Sequence, residues 1–331
     1  KRELINVFLA TKDRIIVVDP MGEYAPLVKR LGGQVIEIAP DSPNHLSPMD
    51  LQTTENGEES PLSTKADFLL SLCELIVGGK EGLQPIEKTV IDRCVRLVYR
   101  EVALGLAAAK TPLLQDLYEV LNAQPEPEAK RLATALELYC TGSLNLFNHP
   151  TNVNLDSRVV CFVLKGMGEN LRKIAMHITN DFVTRAVGNN FRDGVATWCY
   201  FDEFHILLRD PFTASYFVTV WKMLRKQGCV PSALTQNVKD LMASREVENI
   251  LENTDFMVLL SQAQGDRAIL AKQLGISEHQ LSYITQSNSG EGLLFYGNVT
   301  IPFVDRFPRD TEIYRLLTTR PEDIDNGRKE G

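Results

Sequence analysis

The residues best suited to chemistry lie together in Trp198–His205, WCYFDEFH, where an apolar run ends in two acids, Asp202 and Glu203. Open α/β sheets bind ligands outside the carboxyl ends of their strands, so an acid pair there is placed to meet one. In phosphoryl transfer the two acids divide the work. The first holds Mg2+, usually through water, and the second orients or polarises the attacking water. Acids also end buried strands simply because the chain is emerging into solvent, and the pair alone does not separate these readings. A second candidate, Thr235-Gln236-Asn237, follows the apolar segment VPSALT. An amide beside an acid pair can sense a γ-phosphate or place a water. Asn237 before Val238-Lys239-Asp240 also reads as a helix N-cap, and both can hold at once. Between the two segments lie Lys222, Arg225 and Lys226. They form either a solvated helix face or the source of an arginine that reaches a neighbouring subunit's nucleotide and stabilises transition-state charge.

Other chemistries find little support. No phosphate loop of the form G-x-x-x-x-G-K-[ST] occurs. Gly78-Gly79-Lys80-Glu81-Gly82 imitates one, but it follows a helical pattern and lacks the Ser/Thr after Lys, so it reads as a loop. The five histidines (His45, His149, His177, His205, His279) show no metal spacing, and His205 reads as a packing residue after the acid pair. Six cysteines contain no C-x-x-C pair and suit reduced, buried thiols in a cytosolic protein better than zinc or disulfides.

The elements that must position these residues follow from composition and periodicity. The chain has 331 residues, 44% hydrophobic and 24% charged, which excludes disorder and small disulfide scaffolds. A net charge of −8 excludes a uniformly basic nucleic-acid binder and leaves a local basic patch open. The longest apolar run, Val102–Ala109, is far short of the roughly 18 residues a membrane helix needs. RIIVVD (Arg14–Asp19) reads as a strand buried on both faces, Glu23–Leu31 as a short helix stopped by Gly32-Gly33, and QVIEI (Gln34–Ile38) as a second strand. Ala66–Tyr139 is helical in pattern, a helical subdomain inserted into an α/β sheet. Strands return at Arg158–Leu164, Ala196–Asp202, Val230–Thr235, Phe256–Ser261 and Gly292–Tyr296. The helices Glu169–Val187, Pro211–Lys226 and Val238–Glu252 separate the first four, and shorter helices at Gly265–Gly275 and Ser277–Thr285 precede the last. The organisation expected is a first core part over 1–50, a helical insertion over 51–155, the rest of the core over 156–319 and a polar tail over 320–331. Lys1–Ala10 reads as the second half of a helix with no start signal, so the chain is expected to be a fragment.

Seven segments in order carry a resemblance: IIVVDPMGEYAPLVKRLGGQVIEI, HLSPMDL, LLSLCELIVGGKEGLQPIEKTVIDRCV, YFDEFHILL, LTQNVKDLMASREVENILENTDF, GDRAILAKQLGIS and GLLFYGNVTIPFVDRFPRDTEIYRLLTTRP. Together they closely resemble the C-terminal ATPase domain of the large conjugative-transfer ATPase of type IV secretion systems (the TrbE/CagE type, in the HerA/FtsK group). The resemblance covers essentially the whole chain. It implies an α/β, RecA-like P-loop NTPase core with a mostly parallel sheet and an all-helical insertion. Asp202 and Glu203 become the Walker B pair, with Asp202 on the Mg2+ side and Glu203 the catalytic carboxylate. Gln236 becomes the γ-phosphate sensor. Arg225 matches the arginine-finger position of related coupling ATPases, with Arg267 of the GDR motif as second choice, and Asp19 and Glu23 lie near the nucleotide. ATP and Mg2+ follow, as does a homo-hexamer at the cytoplasmic face of a membrane. Its partners would be other secretion components, inner-membrane and coupling proteins. The Walker A loop of this family belongs just upstream of Lys1, with Lys1–Ala10 the remainder of its helix. A DNA translocase or coupling ATPase, and a non-catalytic docking module, stay open beside the secretion motor.

Overall fold

The computed structural model describes residues 1–51, 61–79, 82–105, 110–208, 211–236, 250–251, 254–262, 267–285 and 287–318. The chain opens with helix α1 (Arg2–Ala10), strand β1 (Arg14–Asp19), helix α2 (Ala25–Arg30) and strand β2 (Gln34–Glu37). The β1 run is apolar on both faces because both are covered. Ile15 and Val17 face Leu4 and Val7 of α1 and Leu27 and Val28 of α2, while Ile16 and Val18 join the larger core on the other side. Each aliphatic so removed from water contributes about 1.5–3 kcal/mol. A Cβ on Gly33, after α2, would come within 2.7 Å of the Val159 carbonyl oxygen, so glycine there lets the chain turn tightly into β2.

The helical region follows: α3 (Pro61–Cys73), continued by a π-helical turn Glu74–Gly78, then α4 (Pro85–Val98), α5 (Arg100–Ala103), α6 (Leu114–Ala123) and α7 (Pro127–Cys140). It does not keep a core to itself. One hydrophobic cluster runs from Phe68, Leu117 and Leu136 through Ile174 to Phe162 and Val18 of the sheet. The glycine-rich imitation of a phosphate loop is explained here, although Lys80 and Glu81 lie outside the described residues. The buried Glu74 carboxylate accepts a hydrogen bond from the Leu83 amide (2.9 Å), and Gly82, at φ +74°, packs against the same oxygen. The loop's described residues close on the Glu74 carboxylate of the chain itself.

Strand β3 (Val159–Val163), helix α8 (Glu169–Arg192), strand β4 (Thr197–Phe201), helix α9 (His205–Leu208), helix α10 (Pro211–Lys226) and strand β5 (Cys229–Ala233) complete a five-stranded parallel sheet of order β2-β3-β1-β4-β5. Asp19, Asp202 and Thr235 thus emerge at the carboxyl ends of three adjacent strands.

The last strands depart from the expected single sheet. β6 (Phe256–Leu259), β7 (Glu291–Tyr296) and β8 (Val299–Val304) form a separate antiparallel sheet, one side of which packs on the helices Arg267–Leu274 and Glu278–Thr285. β8 was not expected, because Pro302 interrupts its pattern. The strand tolerates proline because, among the described strands, it pairs with β7 at the sheet's edge. The helix expected over Val238–Glu252 lies almost wholly outside the described residues, as does Asn237. After β8 the chain returns to the first helices. Arg30 pairs with Glu312 (2.9 Å), Arg2 with Asp305, and Leu317 joins the α1–α2 cluster. Among the described residues no helix is long and apolar enough to cross a membrane.

Candidate active site

The acid pair is built by a break between two sheet neighbours. The Asp202 amide still donates to the Val18 carbonyl of β1 (3.0 Å), so β4 remains in register one residue past its end. Glu203 then takes φ +48°, and it alone among the described non-glycine residues has a positive φ. A left-handed backbone costs an L-residue about 1–2 kcal/mol. The surroundings hold it there. The Phe204 amide donates to the Leu234 carbonyl (2.9 Å), and the fully buried Phe204 ring packs among Phe201, Phe217 and Trp221 at 5.5–6.1 Å.

This turn points Glu203 at the end of β5. Gln236 Nε2 donates to Glu203 Oε1 (3.0 Å), while Glu203 Oε2 lies 3.2 Å from His205 Nδ1, which is 3.2 Å from Thr235 Oγ1. The two sequence candidates, the acid pair and the amide, therefore meet in space. In the sequence Thr235 belongs to the Thr235-Gln236-Asn237 candidate and His205 reads only as a packing residue; the structure sets both beside Glu203. The register of the structure makes the link: β4 and β5 pair Phe201 with Ala233, and extending that register two residues sets Glu203 opposite Thr235.

Asp202 sits in a negative field. Burial raises its pKa from 3.8 to about 6, with Asp19, Glu203 and Glu23 adding repulsion against a hydrogen bond from the Glu203 backbone that lowers it. Lys1, at the start of α1, feels the same carboxylates, Glu23 first. Its pKa is nonetheless lowered, chiefly by burial. Helix α1 thus aims its N-terminal end at the acids. Asp19 is fully buried, and its oxygens accept the backbone amides of Gly22 (2.7 Å), Met21 (3.2 Å) and Tyr24 (2.7 Å). Its work is to shape the loop that carries Glu23.

A raised carboxylate pKa gives an expected result for stability. Between the ordinary aspartate range and about pH 6 the folded state binds more protons than the unfolded one, so stability falls as pH rises through that window. Asp202→Asn removes the cost of the buried charge. It should melt at a higher temperature than the native chain near neutral pH, with the difference vanishing in acid. A lower melting temperature at neutral pH would contradict the assigned field.

Two expected arginines stand elsewhere. Arg225, in the last turn of α10, lies at the amino end of β5, where it pairs with Asp255 at 3.7 Å. The strand between spans about 16 Å, so Arg225 does not reach this chain's own acid pair. Arg267 begins its helix, and its side chain lies outside the described residues.

No protein-family model matches the chain, and no curated protein matches it. Solved structures do. VirB4 of Thermoanaerobacter pseudethanolicus superposes with a TM-score of 0.79 over 98% of this chain and 86% of that one, at 21% identity. The chain has the VirB4 fold. The plasmid coupling protein TrwB, in complex with a non-hydrolysable ATP analogue, matches at TM-score 0.52 over 90% of this chain and 88% of that one, at 15% identity. TrwB with a GTP analogue matches at 0.51, with the same coverage and identity. The α/β, RecA-like core expected from the sequence is therefore present, and in this chain the acid pair and the amide follow the carboxyl ends of β4 and β5.

Proposed function

We propose that the chain is the motor domain of an ATP-hydrolysing machine that energises type IV secretion or conjugative transfer. The observation that carries this reading is the Gln236–Glu203 hydrogen bond at the carboxyl ends of adjacent strands, in a chain whose fold follows VirB4 over nearly its whole length. Glu203 orients the attacking water and receives its proton. Gln236, which holds the carboxylate, exchanges that contact for the γ-phosphate and so couples nucleotide state to the catalytic acid. The N-terminal end of α1 favours the phosphates electrostatically.

The residues present fit Mg2+. Asp202 is pushed towards protonation by burial and three neighbouring carboxylates, a field that a divalent cation relieves. Mg2+ in nucleotide enzymes takes one or two carboxylates plus substrate oxygens rather than a full protein cage. Asp202 would hold the ion, which supplies charge neutralisation at the phosphates.

Arg225, remote from its own site, is the candidate to act on a neighbour's nucleotide in a homo-hexamer, with Arg267 as the alternative. Docking on inner-membrane and coupling components of a secretion machine, at the cytoplasmic face, belongs to the same reading. The coupling-protein or DNA-translocase alternative rests on the lower TM-score of 0.52. A purely docking role leaves the assembled Glu203–Gln236 pair without purpose. The test is phosphate release from ATP and GTP by the full-length protein with and without Mg2+. Mg2+-dependent release supports the reading, and no release from either nucleotide overturns it.

A further inference from the structure

The second oxygen of Glu203 carries an inference beyond the motor assignment, though it rests on Glu203 being the catalytic carboxylate. His205 follows the acid pair, is 8% exposed, and turns its Nδ1 to within 3.2 Å of Glu203 Oε2. The Thr235 hydroxyl stands 3.2 Å from the same nitrogen. A carboxylate only accepts hydrogen bonds, so the close approach of Nδ1 to Oε2 is favourable only with the proton on Nδ1, and Thr235 Oγ1 can then share it. The Nδ1–Oε2 contact is electrostatic rather than a linear hydrogen bond, and Oε2, shut off from solvent, has no other donor among the described residues. Gln236 holds only Oε1. If Gln236 leaves for a phosphate, His205 still touches the carboxylate at Oε2.

We propose that His205, steadied by Thr235, is the positioning residue that keeps the Glu203 carboxylate in line for water attack when Gln236 lets go. A glutamate side chain has several rotatable bonds and loses up to about 2 kcal/mol of rotamer freedom on being fixed. Small displacements of a catalytic group cost about 10–100-fold in rate. The backbone of Glu203 is already locked by its neighbours, so His205 restrains the part of the residue that the backbone cannot.

The experiment is steady-state ATP hydrolysis by the full chain carrying His205→Leu, His205→Asn or Thr235→Val, with melting temperature measured alongside. His205→Leu should lower kcat about 10–100-fold with KM unchanged. His205→Asn, whose amide can donate from near the Nδ1 position, should restore most of kcat. Thr235→Val, a near-isostere, should lower kcat in the same direction and carries the test if His205→Leu does not fold. Unchanged kcat in a folded His205→Leu or in Thr235→Val overturns the proposal, as does a His205→Asn variant as slow as His205→Leu. The failures are distinguishable. If Glu203→Gln keeps its turnover, the underlying Glu203 assignment fails. If Glu203→Gln is inactive while His205→Leu matches the native kcat, only the role of His205 fails.

Discussion

Glu203→Gln is expected to lower ATP turnover by about 10²–10⁴-fold, the usual contribution of a positioned general base, while nucleotide affinity changes little. The substitution is isosteric. Glutamine keeps the length of the side chain and one carbonyl oxygen, so Gln236 Nε2 can still donate across the 3.0 Å that it now spans to Oε1. It cannot take a proton from water, and its amide presents hydrogens where the carboxylate had lone pairs. The fold should tolerate the change. The strained backbone at φ +48° is held by Phe204 and by the β4–β5 hydrogen bonds rather than by the carboxylate. A loss confined to kcat, with bound fluorescent nucleotide and melting temperature retained, is the expected pattern. Native turnover in this variant would remove Glu203 from the chemistry. A parallel rise in KM would instead mean that the residue serves ground-state binding.

The elements around this site differ in how far they could be read from the chain, and the differences have physical causes. β1 and β3 were legible because a strand covered on both faces must be apolar at consecutive positions, and RIIVVD and VVCFV are so. FMVLLS looks the same by that criterion, yet Phe256 and Val258 are about half exposed and the strand belongs to the antiparallel sheet. Short apolar runs do not state their partners. The placement of Asp202, Glu203 and Gln236 at strand ends was legible because polar residues close apolar runs where the chain leaves the sheet. The meeting of His205 with Glu203 depends on a left-handed turn at a non-glycine residue, which propensity argues against. Asp19 was placed near the nucleotide by resemblance, and the structure shows its oxygens engaged by three backbone amides, a fact of loop geometry that no spacing reveals. Arg225 lies at the far end of the strand because a helix leading into a parallel strand ends where that strand begins.

The second large effect concerns stability and a cluster with no part in the chemistry. Lys65 on α3 is 3% exposed, and its ammonium donates to Asp181 Oδ2 of α8 (2.8 Å) and to the Pro48 carbonyl (3.1 Å). Arg185, one turn on, lies 3.3 Å from the same Asp181 oxygen and 3.6 Å from Asp50, which also accepts from the Thr151 hydroxyl at 2.6 Å. The cluster joins the segment HLSPMDL to the first helix of the helical region and to the long helix beneath the sheet. Burial lowers the Lys65 pKa more than Asp181 raises it, so desolvation outweighs the attraction of the pair and the ion pair is not a net source of stability. That balance predicts an asymmetry. Asp181→Leu leaves the buried ammonium without its ion-pair partner, and should destabilise the fold by about 3–5 kcal/mol. Adding Lys65→Met removes that charge and should recover much of the loss, because Arg185 keeps Asp50 and the methionine can pack against Phe68, whose ring already lies 4.5 Å from the ammonium. Urea unfolding of the two single variants and the double measures the coupling. A double variant as unstable as the sum of the singles would mean that the ions act independently and that the cluster does not bind the helical region to the sheet through paired charge.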